Sequence, residues 1–429
     1  MGESWGRYPR VNQRISPLHD RSSGLPDFAG TALAYGNGRS YGDSCLNPDG
    51  TLLHTRGLDR FIAFDEASGI LRCEAGVTLG EILELIVPRR WFLPVTPGTR
   101  HVTVGGAIAN DVHGKNHHVA GTFGHHVRGF GLLRSDGTHN ECSPGSPSFA
   151  ATVGGLGLTG VITWVELQLR RVDNPWLETE SIRFENLDEF FALSAESAGS
   201  HEYTVAWIDC LARGKALGRG HFHRSVHANV AIKVGPAAPK AALAVPITPP
   251  FSLVNRLTLR PFNALYFQRQ QARRRGAVEH YASFFYPLDS IRDWNRMYGR
   301  RGFLQHQCVI PGSDAPAAVA ELLREIAASG TGSFLAVLKE FGDRPSLGLL
   351  SFPRPGTTLA LDFPNAGPEV FVLLDRLDAI VAAAGGAVYP AKDARMSGAH
   401  FRGAYPRWQE FATHMDPRFS SGFWRRVME

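Results

Sequence analysis

No two cysteines in this chain are spaced as C-x-x-C, and the five present (Cys45, Cys73, Cys142, Cys210 and Cys308) are scattered and odd in number. This argues against a disulfide framework or a structural zinc site and fits a reducing compartment. No window reaches 18 uninterrupted apolar residues, so no segment reads as a membrane span. The opening residues MGESWGRYPR lack the apolar core of a secretory signal, and a cytoplasmic protein is expected. Dense charge of one sign is absent too. A formal net charge of +5 on 429 residues is too mild for a nucleic-acid binder, yet it suits an anionic substrate or a membrane surface. There is no internal repeat, and the length allows two domains with sizeable cores.

Glycine, by contrast, is concentrated. The stretch Thr96 to Gly124 holds six glycines, four histidines and two asparagines around one short apolar run. Such density removes Cβ atoms and lets backbone N–H groups approach an anion. A second glycine-rich turn, Gly36-Asn37-Gly38-Arg39-Ser40-Tyr41-Gly42, precedes it and follows a short strand at Leu33 to Tyr35. Arg39, Ser40 and Tyr41 add guanidinium and hydroxyl donors suited to phosphate. A third segment, Gly155-x-Gly157-x-x-Gly160, matches the dinucleotide fingerprint in letters only. That fingerprint requires a following helix, whereas VITWVELQL alternates as a strand. The three segments together read as a phosphate cradle beside a flat ligand. The histidines His113, His117, His118, His125 and His126 lack the cysteine or carboxylate company and the helical spacing of a zinc site. They read as residues lining a cofactor, and no metal is expected.

Along the chain, residues 1–30 read as an irregular lead-in. Alternating runs from Leu52 to Glu74 predict strands, and Thr78 with Glu81 predicts a capped helix over 79–86. Val127 to Leu133 and Ser135-Asp136-Gly137 predict a hairpin. Beyond Asn174, helices are expected at 187–198, 291–297, 315–328 and 368–383. Strands are expected at 203–209, 303–310, 334–339, 347–352 and 358–363. The Pro/Ala-rich tract 235–250 breaks regular structure. The residues after it, from Phe251 to Arg275, mix aromatics with six arginines in no strict helical period. The whole reads as an α+β protein: residues 1–173 one domain, 174–385 a second with an antiparallel sheet, and 386–429 a tail returning to the first.

The three glycine-rich segments occur in the order and spacing of FAD-dependent oxidases of the vanillyl-alcohol oxidase type, with a PCMH-type FAD-binding domain of two subdomains, which the chain resembles. HGKNHH, FLQHQCVIP, SFLAVLKEFG and YPAKDAR are more specifically similar to members that oxidise a polyprenyl-phosphoryl ribose at its 2′-hydroxyl. The resemblance implies FAD against Tyr35, Gly36, Asn37, Gly38, Arg39, Ser40, Tyr41, Gly42, Asp43 and Ser44. Gly98, Thr99, Thr103, Val104, Gly105, Gly106, Asn110, Asp111, His113, Gly114, Ile162, Tyr389 and Lys392 complete the set. Arg39 stands where many relatives carry a flavin-linking histidine, so non-covalent FAD is expected. Lys392 is expected to stabilise charge on the reduced flavin. His113, Lys339, Gln305 and Gln307 are expected at the reacting sugar, with Lys115, Trp207, Phe285, Thr358 and Ala360 around the substrate. Phe285, Thr358 and Ala360 depart from the tyrosine, asparagine and cysteine of those members. Implied partners are a lipid-linked sugar phosphate and a separate NADPH-dependent short-chain reductase completing an epimerisation to arabinose. The aromatics and arginines of Phe251 to Arg275 point in their own right to the inner membrane as a peripheral contact. A soluble alditol or aldonolactone oxidase and a catalytically inactive flavin-binding homologue stay open at this point.

Overall fold

The computed structural model describes residues 2–228 and 243–429. Residues 235–242 of the Pro/Ala-rich tract lie outside the described residues. The chain mixes helices with three principal sheets. Arg14–Pro17, Thr51–His54 and Ala32–Tyr35 form a small parallel sheet with Thr51–His54 in the middle. Phe61–Asp65, Ile70–Glu74, Val161–Gln168, Val127–Leu133 and His139–Cys142 form an antiparallel sheet in that spatial order. The third is antiparallel throughout and has eight strands. Its order is Arg274–His280, Trp176–Phe184, Gly220–His227, Tyr203–Ile208, Ala336–Phe341, Gly356–Pro364, Phe303–Ile310 and Ala387–Val388.

Local chemistry explains several boundaries. The helix Leu79–Ile86 starts at Thr78, whose side chain accepts from Glu81 N–H at 3.2 Å while Glu81 accepts from Thr78 N–H at 2.7 Å. Leu79, Ile82, Leu83 and Ile86 turn one apolar stripe into the core of the five-stranded sheet. The helices Ala315–Ser329 and Pro368–Ala383 each begin with proline in the first turn and cover the large sheet from one side. The tail ties back to the start of the chain. Ala32 bridges Phe419, and Arg426 pairs with both Asp43 at 2.7 Å and Asp393 at 2.9 Å.

Four expectations are corrected. The lead-in contains the strand Arg14–Pro17, and its Trp5 reaches the main cavity. Residues 347–352 form no strand. This apolar run is a buried loop, with Leu349 N–H donating to Ala150 O and Leu350 and Phe352 in the core. Residues 291–297 form no α-helix, because Asp293 adopts a left-handed φ of 56° between the short strand Ile291–Arg292 and the 3₁₀ turn Trp294–Tyr298. The aromatic and arginine-rich segment does contain one helix, Arg256–Gln268, which runs through Pro261. Asn255 caps it, and burial of Leu259, Asn263 and Phe267 offsets the hydrogen bond that proline cannot make. Among the described residues, no helix is long and apolar enough to cross a membrane.

Candidate active site

One elongated cavity of about 700 Å³ runs between the glycine-rich loops and the large sheet. At one end the strand Ala32–Tyr35 delivers the first loop. Gly38 sits there at φ +58°, where a Cβ would collide with Tyr35 Oη and Glu3 O. A Cβ on Gly36 would fall 2.5 Å from Thr103 Oγ1, so the first loop and the central stretch approach closely only because Gly36 has no side chain. Thr103 caps the short helix Val104–Ala109 by accepting from Gly106 N–H at 3.2 Å. Gly157, at φ +76°, completes the wall; a Cβ there would lie 3.7 Å from Leu33. Among the described residues, Arg39 Nε and Ser44 Oγ are buried against this space without a hydrogen-bond partner, and the Arg39 guanidinium stacks on Trp5 at 4.2 Å. Unpaired buried donors beside a groove bared of Cβ atoms suit a phosphate-bearing ligand.

At the other end the large sheet presents alternate residues. Gln305 and Gln307 on one strand face Asp362 and Ala360 on the next, and Thr358 faces Lys339 on a third. Strand period two puts all of them on the cavity side. His113 reaches this layer from the central stretch. Its Nδ1 lies 2.8 Å from Lys339 Nζ and its Nε2 lies 3.0 Å from the Gln307 amide nitrogen. Lys339 also donates to Gly114 O at 2.8 Å, and Gln307 to Thr358 Oγ1 at 3.3 Å. Phe341, Phe352 and Tyr389 enclose the imidazole, and Tyr389 Oη donates to Asn110 O at 2.7 Å. Lys392 Nζ lies 3.8 Å from the centre of the Tyr41 ring. Lys115 donates to Phe284 O and stacks over the Phe284 ring.

Burial dominates the charges here. It brings Lys392 down to about 7 against the opposing pull of Asp362. It brings Lys339 to about 7, with Lys115 and Lys392 adding to the effect, and Lys115 to about 8. His113 falls well below the usual imidazole range through burial and then Lys339, so it is neutral. Asp362 rises to about 6 through burial, although Gln305 donates to it at 2.6 Å.

The sequence-predicted residues Tyr35, Gly36, Asn37, Gly38, Arg39, Ser40, Tyr41, Ser44, Gly98, Thr99, Thr103, Gly105, Gly106, Asn110, Gly114, Ile162 and Tyr389 line this cavity. So do His113, Lys115, Trp207, Phe285, Gln305, Gln307, Lys339, Thr358, Ala360 and Lys392. Gly42, Asp43, Val104 and Asp111 do not line it. Gly42 presses on the Asp393 backbone, Asp43 is paired with Arg426, and Val104 is fully buried in its helix. Asp111 accepts from Gly124 N–H and Ser351 Oγ, bracing the loop from behind. Sequence reasoning missed Asp362 and Trp5. Asp362 could have been found as the next inward position after Thr358 and Ala360 on one strand.

This geometry defines a nucleotide-cofactor oxidoreductase site, with a phosphate cradle at one end and buried lysines and a neutral histidine at the other. Residues 29–143 match the family model of an FAD binding domain. The chain is 36% identical over 413 residues to the decaprenylphosphoryl-beta-D-ribose oxidase of Mycolicibacterium smegmatis, covering 92% of this chain and 88% of that one. An uncharacterized protein of Streptomyces coelicolor is 37% identical over 82% of this chain and 100% of its own. The alditol oxidase of a Streptomyces species is 30% identical over 28% of this chain and 29% of its own. The chain is an FAD-dependent oxidoreductase. It belongs to the decaprenylphosphoryl-beta-D-ribose oxidase family.

Proposed function

We propose that the protein oxidises the 2′-hydroxyl of a polyprenyl-phosphoryl-β-D-ribose to a ketone. A separate NADPH-dependent short-chain reductase would complete the epimerisation to the arabinose form. FAD, when bound, supplies the hydride acceptor. The observation that carries the reading is the layer His113, Lys339, Gln307, Gln305 and Lys392, which shares one cavity with the glycine-rich cradle. In this reading residues 1–173 and 386–429 hold FAD, between two subdomains built on the small parallel and five-stranded sheets, and residues 174–385 form the substrate wall. Arg39 and Ser44 carry the donors for the pyrophosphate. Lys115 and Thr358 offer donors and Gln307 its amide oxygen as an acceptor to the sugar and phosphate, while Trp207, Phe285 and Ala360 give apolar surface. Lys339 takes the hydroxyl proton, and Lys392 supplies positive charge as negative charge builds up in the cleft.

The test is anaerobic bleaching of the bound flavin by a short-prenyl phosphoryl ribose. Bleaching by xylitol or sorbitol but not by the phosphoryl ribose would overturn the substrate, and bleaching by none of them would indicate an inactive homologue.

FAD is non-covalent in this reading, because arginine at position 39 forms no flavin bond and burial pushes the Cys45 thiol up to about 12. Acid precipitation is expected to leave the flavin in the supernatant. Flavin that stays with the polypeptide contradicts this.

Two buried lysines with opposite duties give a bell-shaped pH dependence of flavin reduction. The rate rises as Lys339 loses its proton and falls as Lys392 loses its own, both near 7. Asp362 holds the Lys392 proton, so Asp362→Asn is expected to move the alkaline limb to lower pH. A limb that stays put shows that the carboxylate does not act on Lys392.

A further inference from the structure

Half of the described large apolar side chains that reach solvent fall between Leu243 and Leu265. The helix Arg256–Gln268 is apolar on both faces. Its inward face buries Leu259, Phe267 and Asn263, the last held by Asp209 Oδ1 at 3.1 Å, while Leu257 and Leu265 are 87% and 72% exposed. With Pro261 they sit at i, i+4 and i+8, so they form one outward stripe. Ile247, Phe251 and Leu253 extend the apolar surface along the preceding loop. The segment is also one-sided in charge. From Leu243 to Val278 there is no acidic residue, and there are six arginines. Arg273 and Arg274 are engaged by Glu189, Glu180 and Glu196. Arg256, Arg260 and Arg269 are exposed, and among the described residues they have no ion-pair partner.

We propose that this face docks the protein on an anionic lipid bilayer, with the outward stripe in the headgroup region and the cavity mouth against the membrane. Exposed leucine and phenylalanine edged by unpaired arginine is the pattern of an interfacial helix. Each arginine near an anionic leaflet adds to the attraction. A second copy of the chain on the same face would bring arginines against arginines, so charge favours the bilayer over a homodimer. The face is continuous with the site. Tyr266 lines the cavity with its ring centre 4.5 Å from that of Trp207, and one turn earlier Phe262 lies 5.9 Å from Tyr266 and 4.3 Å from Phe334. This aromatic track leads from the cavity wall to the exposed stripe and suits a prenyl chain whose head group sits inside. The use of the face rests on the lipid-linked substrate proposed above; its exposure and charge do not.

The experiment is co-sedimentation of the FAD-loaded protein with vesicles of phosphatidylcholine alone and of phosphatidylcholine mixed with phosphatidylglycerol, at low and high salt. Binding is expected to the anionic vesicles only and to weaken with salt. The double variant Leu257→Ser, Leu265→Ser is expected to lower the bound-to-free ratio at least about tenfold, the scale of removing two leucines from an apolar phase. Both positions are exposed, and an unchanged flavin spectrum checks that the variant is folded and loaded. The proposal is overturned if the variant sediments as well as the parent, if neither binds, or if the parent is a dimer that the double variant converts to monomer. Flavin bleaching by the short-prenyl substrate reports on the catalytic reading separately. It should be unaffected in the variant, and its absence in the parent would refute that reading while leaving the vesicle result standing.

Discussion

Lys392→Ala is expected to leave the protein folded and loaded with FAD and to slow flavin reduction by about a hundredfold or more, the scale of losing one group that meets charge developing in the transition state. That factor corresponds to about 2.7 kcal/mol of barrier. The argument starts from where the ammonium is held. Lys392 lies over the Tyr41 ring in the cavity that Lys339 and Lys115 also line, with Asp362 as the opposing charge. Burial weakens its hold on the proton, so negative charge arriving nearby is strongly stabilised in return. Lys392→Arg keeps the charge but replaces a compact ammonium with a planar fork, so partial recovery is expected. Stopped-flow reduction under anaerobic conditions gives the rate, and the flavin reduction potential gives an independent readout. Loss of the cation should make the potential more negative. An alanine variant with parental rate and potential would mean that the positive charge in the cleft comes from elsewhere.

How much of this was legible in the sequence depended on whether a residue's role is local. Thr78 and Glu81 announce a helix start because both halves of the cap lie within one turn. The strand Phe303–Ile310 and the helix Pro368–Ala383 were read at their bounds. Arg274–His280 was not read as a strand. RRGAVEH has no apolar alternation, and its extended form comes from pairing with Trp176–Phe184 at the sheet edge. Residues 347–352 carry a strand-like apolar run for a different reason, which is burial of a loop against Ala150 and Val153. In the site, the glycine-rich loops were legible because missing Cβ atoms show in the letters. Asp362 was not, because its importance follows from register. It stands opposite Gln305 in the pairing of two strands far apart in sequence, and no motif contains both.

Lys339→Met is expected to lower the rate of flavin reduction by about 10²- to 10⁴-fold, the range for losing a positioned proton acceptor, and to remove the acid limb of the pH profile. The hydrogen bonds around His113 supply the reason. A neutral imidazole has one N–H, and so cannot accept from both neighbours. With the Gln307 amide nitrogen donating to Nε2 at 3.0 Å, the proton sits on Nδ1 and points at Lys339 Nζ, 2.8 Å away. Lys339 must then accept, which an ammonium cannot do. The pair is satisfied when Lys339 is the free amine, and burial beside Lys115 and Lys392 makes that form substantially populated near pH 7. Rotation of this amine away from His113, with one N–H kept on Gly114 O, frees its single lone pair to take a proton from a sugar hydroxyl. The sign follows: protonation below about 7 blocks the acceptor, so the rate climbs with pH on that side. Methionine keeps the length and apolar bulk of the side chain without a lone pair of comparable basicity, which separates loss of the base from loss of packing. If Lys339→Met instead raises KM at unchanged limiting rate and keeps the acid limb, Lys339 binds the substrate and another group takes the proton.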